Sequence, residues 1–153
     1  MPHGVVEIRQ AGLQDVRQMV EVLNACDLRS EDICVDGTFY LVATLEDRIV
    51  GTVGIENANG RAVLLRSLAV LPEFRSQRIG ARLMSEITSQ VRASARSIYL
   101  FSTGAGDYYQ AQGYVEVPVD EVVNAVGRTP QVQKYQDLGW LPTEVGWRLA
   151  LSE

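Results

Sequence analysis

The chain has 153 residues, 46% of them apolar, and a formal net charge of −5. That length suits a single domain spanning residues 1–153, one able to bury roughly two-thirds of its unfolded surface. Disorder is excluded by the apolar content, a membrane span by the lack of any run of ~18 apolar residues, and nonspecific nucleic-acid binding by the acidic balance.

Two cysteines, Cys26 and Cys34, and one histidine, His3, leave little for a disulfide framework or a metal site, and none is expected. The first residues lack the basic and apolar regions of a secretory signal, so a cytoplasmic location is expected.

Residues 5–9 read as a first strand. Residues 12–26 read as an amphipathic helix, with Val16, Met19, Val20, Leu23 and Cys26 at helical spacing. Residues 28–37 are polar and irregular. Residues 38–45 and 48–56 are rich in β-formers and flank Glu46-Asp47, which predicts a hairpin. Asn59-Gly60 is a strong turn signal. Residues 61–70 form an apolar, hence central, strand ended by Pro72. A helix over 79–91 buries Ile79, Leu83, Met84, Ile87 and Val91. A buried strand over 97–102, a short helix over 106–112 stopped by Gly113, a strand over 114–117, a helix over 119–126 and a closing strand over 145–151 complete the chain.

The most informative stretch runs Leu68-Ala-Val-Leu-Pro-Glu-Phe-Arg-Ser-Gln-Arg-Ile-Gly-Ala81. A strand turns at proline, and a helix opens around Gly80 beside Arg75 and Arg78. Unpaired N–H groups at the positive end of a helix favour phosphate. Two arginines at a helix start oppose the dipole, so their placement there also points to an anion. The common nucleotide loops do not fit. GxGxxG is absent, and Gly80 is followed by Ala-Arg-Leu rather than Lys-Ser/Thr.

Leu68-Ala-Val70, Pro72, Arg75 and Gly80, followed about thirty residues later by Tyr109-Gln-Ala-Gln-Gly113-Tyr114, resemble the GNAT superfamily of acyl-CoA-dependent N-acetyltransferases. The resemblance implies an α+β fold. It would have a mixed, mostly antiparallel central sheet of six to seven strands, flanked by about four helices and splayed at the acyl-CoA site. Acetyl-CoA is the implied cosubstrate, without a metal. The N–H groups of Gln77, Arg78, Ile79, Gly80 and Ala81 would cradle the pyrophosphate, with Arg75, Ser76 and Arg78 around it. Leu68, Ala69 and Val70 would pair through their backbone with the pantetheine arm, and an N–H near Val70 would face the oxyanion. Arg78 stands where the family usually has glycine, so a positive φ there would cost strain.

Tyr109 occupies the family position of the general acid, with Tyr108 the adjacent alternative and a candidate contact to the cofactor; the bland alternative for either is ring packing. Glu56 ends a central strand and is the candidate general base, or a charged residue beside a turn. Arg66 is expected to pair with a protein carboxylate or to hold a substrate carboxylate. Its strand face is read as shared with Leu64, Leu68 and Val70. Ser67, Thr103 and Tyr135 are weaker cleft candidates. Cys26 is expected in the core, and Cys34 has no histidine partner. Trp140 and Trp147 are expected to pack the C-terminal region or to contribute to a homodimer contact.

The stretch Leu64-Leu-Arg-Ser-Leu-Ala-Val70, with Pro118, Val122-Val-Asn-Ala125 and Thr129-Pro-Gln131, is similar to a small branch of the family. That branch is N-acetylglutamate-synthase-like or arsenic-operon-associated, and its substrates are amino acids or analogues. The function expected is direct attack of a small-molecule amine on acetyl-CoA in a ternary complex. A non-catalytic acyl-CoA-binding regulatory module and a protein or peptide N-acetyltransferase are the alternatives.

Overall fold

The structure is a computed structural model describing residues 4–30, 33, 38–57 and 61–151. His3, Cys34 and the Asn59-Gly60 turn lie outside the described residues. The strands form a seven-stranded, mostly antiparallel sheet in the order β1-β2-β3-β4-β5-β7-β6. The chain groups into two compact units, Met1–Ile55 with Ser67–Gln90, and Glu56–Arg66 with Val91–Glu153.

In the first unit, β1 (Glu7–Gln10) leads through a 3-10 turn to α1 (Val16–Ala25). Asp15 organises that entry: its carboxylate accepts from the Gly12 N–H at 2.8 Å and from both Arg9 Nη atoms at 2.8 and 2.9 Å. A carboxylate at a helix start also matches the helix dipole. The buried face of α1 is Met19, Val22 and Leu23. Val16, Val20 and Cys26 are only half-buried, because the helix begins four residues later than periodicity predicts and ends before Cys26.

The hairpin of β2 (Phe39–Leu45) and β3 (Arg48–Asn57) forms as predicted. Glu46 and Asp47 have φ of 50° and 66°, the left-handed pair that a tight two-residue hairpin demands. β4 (Ala62–Val70) follows, and α2 (Ile79–Arg92) buries Ile79, Leu83, Met84, Ile87 and Val91, the five predicted residues.

In the second unit, β5 (Ser97–Phe101) pairs in parallel with the start of β4 and antiparallel with β7 (Gly146–Ala150), which also pairs with β6 (Val115–Val117). α3 (Gly106–Ala111) precedes β6. Between β6 and β7 lie α4 (Val119–Val126) and α5 (Pro130–Asp137). The sequence reading contains no α5, so five α-helices appear among the described residues rather than about four. Its polar composition hid it: only Gln131 and Val132 are buried, too few to mark a helical face. Val122, Val126 and Val132 close the core over Ala62, Leu64, Tyr99 and Val117.

Candidate functional site

The phosphate-friendly stretch is built within the first unit. Pro72–Gln77 forms a 3-10 turn rather than an open loop. Arg78 follows with φ 59° and ψ 26°, in the left-handed region. It reverses the chain so that α2 can start at Ile79, and Arg78 O accepts the first bond, from the Arg82 N–H at 3.1 Å. N–H groups ahead of that bond have no acceptor inside the helix. No acidic residue occupies the first turn of α2. Ser76, Gln77 and Arg78 are exposed, while Gly80 and Ala81 are partly so. An anion is the natural complement of this arrangement. The left-handed Arg78 shows that the residue spends, in strain, about 1 kcal/mol that glycine would not.

Arg75 has a second task. Its Nε–H donates to Val70 O at 3.0 Å, and its Nη2 lies 3.3 Å from Cys26 Sγ. The Cys26 thiol donates to the same Val70 carbonyl at 3.3 Å. Arg75 therefore ties the turn to the end of β4, a role that residue type alone did not reveal. Cys26 is a half-buried polar partner here rather than a core residue.

Ser67 has φ 61° inside β4, a left-handed residue in mid-strand. Its carbonyl accepts the Thr52 hydroxyl at 2.6 Å. The left-handed residue interrupts the period-two alternation between Arg66 and Leu68, so Arg66 keeps the spacing that puts it on one face with Leu64, but spacing alone no longer carries that face on to Leu68 and Val70. Leu68 is half-buried, whereas Ala69 and Val70 are buried.

In the second unit, the registered β4–β5 pairs run from Ala62↔Ser97 to Leu64↔Tyr99, while β5 continues to Phe101 against β7. α3 then carries Tyr108 and Tyr109. Its end explains the Tyr-x-x-x-Gly-Tyr spacing. Gly113 has φ 100°, its N–H donates to Gln110 O at 3.0 Å, and the Tyr114 N–H donates to Tyr109 O at 3.0 Å. These are the two bonds of a Schellman helix stop, and the accompanying side-chain contact is Tyr109 against Tyr114, centroids 5.5 Å apart at 68°. Tyr108 sits edge-on to Tyr109 at 5.3 Å.

Tyr109 is buried, and desolvation, aided by Tyr108, pushes its pKa up to about 12. Desolvation also raises Tyr108 and, more strongly, Tyr114. The Tyr114 hydroxyl is buried with no hydrogen-bond partner among the described residues.

Glu56 and Arg66 meet. Arg66 Nη1 donates to Glu56 Oε2 at 2.7 Å, and the Gln131 N–H, in the first turn of α5, donates to Glu56 Oε1 at 2.9 Å. The side chains are 3% and 1% exposed. Of the two expectations for Arg66, the structure forms the pair with a protein carboxylate. Glu56 spends both oxygens on buried partners instead of facing solvent, as a base relaying protons through water would.

Thr103 is exposed between β5 and α3. Tyr135 stacks on Phe101 at 5.7 Å and meets Trp140 edge-on at 5.4 Å. Trp147 is buried, and its Nε1–H donates to Ser102 O at 3.0 Å.

The chain matches the family described as "Acetyltransferase (GNAT) domain" over residues 36–116. Mycothiol acetyltransferase of Rhodococcus opacus (strain B4) is 43% identical over 54 residues, covering 35% of this chain and 18% of that protein. N-acetylglutamate synthase of Neisseria gonorrhoeae, complexed with coenzyme A and N-acetyl-glutamate, superposes with a TM-score of 0.80 at 18% identity, over 99% of this chain and 36% of that one. A GNAT-family acetyltransferase of Staphylococcus aureus Mu50 gives 0.73 at 15% identity, over 97% and 100%. The chain thus spans about a fifth and a third of the first two. The structural likenesses, all below 25% identity, establish the fold; the sequence match over more than half the chain, which takes in both the left-handed turn before α2 and the glycine-stopped tyrosine helix, establishes that the chain belongs to the GNAT acetyltransferase family.

Proposed function

We propose that this protein transfers the acetyl group of acetyl-CoA to the neutral primary amine of a small molecule, an amino acid or analogue, by direct attack in a ternary complex: the N–C bond forms, the C–S bond breaks, and the proton that nitrogen loses ends on the departing thiol. The observation that carries the reading is the turn before α2: a left-handed Arg78, a helix start free of acid, and N–H groups that precede the first helical bond. These features fit a pyrophosphate, with Gln77, Arg78, Ile79, Gly80 and Ala81 as donors and Arg78 adding charge. Acetyl-CoA supplies the activated thioester. Leu68, Ala69 and Val70 offer backbone groups to its pantetheine amides.

Tyr109 is the donor to the leaving sulfur. With a pKa pushed up to about 12 it is fully protonated at neutral pH. It also holds its proton more tightly than an ordinary thiol does. Tyr109 therefore acts by hydrogen bonding to negative charge growing on sulfur, not by delivering a free proton ahead of it. Glu56 and Arg66 act as a positioning pair, since each neutralises the other. The amino-acid class draws support from the fold likeness to a synthase holding N-acetyl-glutamate.

The test titrates acetyl-CoA against the protein and then follows thiol release with a panel of amino acids, simple amines and N-terminal peptides. Turnover with amino acids bears the reading out. Acetyl-CoA binding without turnover on any amine would leave a regulatory module, and turnover confined to peptides would overturn the small-molecule class.

A further inference from the structure

The segment between β6 and β7 holds a cleft to which none of the residues described so far has been assigned. It measures about 580 Å³, and Val123, Asn124, Gly127, Arg128, Gln133 and Gln136 line it. That volume falls in the range of small-molecule sites. Its walls are α4 and α5, fastened by a bond from Gln133 Nε2 to Gly127 O at 2.5 Å. Gly127 makes the corner: a Cβ there would come within 2.4 Å of Val123 O, so a side chain at this position would disturb the last turn of α4.

The polar lining has one sign. Arg128 is exposed and has no ion-pair partner among the described residues, and no carboxylate lines the cleft. Arg128 stands between Gly127, the C-cap of α4, and Thr129, the N-cap of α5, so the two helix dipoles act on it in opposite senses and neither takes up its N–H donors. Beside it, the carboxamides of Asn124 and Gln136 offer both donors and acceptors. In a chain of net charge −5, an unpaired arginine ringed by neutral amides selects an anion with further hydrogen-bonding groups.

We infer that the α4–α5 cleft is a binding site for a small carboxylate of amino-acid size, gripped by Arg128 and flanked by Asn124 and Gln136. The ligand is either the acceptor itself or a non-reacting effector; the carboxylate is common to both.

The test is a titration of the full chain, labelled with nitrogen-15, with glutarate, and with 1,5-diaminopentane as a chain-length control lacking carboxylates. Glutarate is expected to shift the side-chain amides of Asn124 and Gln136 and the Arg128 Nε saturably, and diaminopentane to leave them in place. Arg128→Gln, at an exposed position that threatens no packing, is expected to weaken glutarate about tenfold. Absence of saturable shifts up to about 20 mM, or equal affinity in Arg128→Gln, would overturn the site. L-glutamate in the presence of acetyl-CoA separates the sources. Acetylated product with a raised KM in Arg128→Gln identifies an acceptor, and binding without acetylation identifies an effector. Failure of the acetyltransferase reading would appear separately, as no thiol release with any amine while glutarate still binds.

Discussion

Arg66 Nη1 lies 2.7 Å from Glu56 Oε2, and the two side chains are almost fully enclosed. Removing one partner strands the other's charge in a low-dielectric interior, so Arg66→Ala and Glu56→Ala are each expected to cost about 3–5 kcal/mol. The double variant Glu56→Gln/Arg66→Met is expected to recover much of that loss. Urea unfolding of the three variants checks it. A loss in the double variant equal to the sum of the two single losses would show that the pair is not coupled.

Tyr109→Phe keeps the ring and removes the hydroxyl. It is expected to lower kcat about tenfold or more, with acetyl-CoA affinity nearly unchanged. Because the Tyr109 pKa is pushed up to about 12, wild-type activity should show no loss attributable to this group near pH 10. Steady-state rates between pH 7 and about 11, set beside the variant, are the measurement.

The same burial makes stability sensitive to alkali. The folded-state pKa of Tyr109 lies above the unfolded value of 10, so the folded form retains its proton longer. Its contribution is fully present below pH 10 and is lost as pH rises from 10 to about 12, amounting to at most ~3 kcal/mol. Tyr114, shifted in the same direction, adds to the effect. Urea midpoints at pH 8 and about 11 are expected to separate less in Tyr109→Phe than in the wild type.

Arg78→Gly relieves a left-handed arginine. The expected result is stabilisation of about 0.5–1 kcal/mol, held down by the greater entropy of glycine in the unfolded chain. Acetyl-CoA affinity is expected to fall severalfold with the lost charge. Thermal unfolding and acetyl-CoA titration read the two effects independently.

Gly113→Ala places a side chain at φ 100°, where L-residues are disfavoured. A cost of about 1–2 kcal/mol is expected. Because Gly113 fixes the turn that holds Tyr114 on Tyr109, kcat is expected to fall as well. A stability loss with unaltered kcat in the folded fraction would separate the helix stop from Tyr109 placement.

Where hydrophobic spacing was strong, the fold was legible. All five buried residues of α2 were readable, as was the Glu46-Asp47 hairpin. α5 was not, because polar residues cover most of it and its anchor is a backbone N–H meeting a carboxylate distant in sequence. Arg66 and Glu56 were both singled out, yet their meeting was one of two open alternatives. Ten residues of separation across a turn fix no distance. The positive φ at Ser67 left no mark either, since serine is not a residue that advertises a left-handed backbone. Arg78 did leave one: an arginine in a glycine's place posed the question of a positive φ, and the backbone supplies it.

Val117 and Gly146 are register partners, so the excursion from residue 118 to residue 145 leaves and rejoins the sheet at one rung. A segment entered and left at neighbouring points can be exchanged for another without disturbing the register of the strands that carry it. Here the exchange has a fixed condition. Gln131 is clamped to Glu56, and Val122, Val126 and Val132 close the core. A replacement must bring its own helix start to that carboxylate and its own apolar lid, while its outward residues, Arg128 among them, are free to vary. The buried pair thus acts as a socket: it sets where an exchangeable cassette must plug in and leaves open what the cassette recognises.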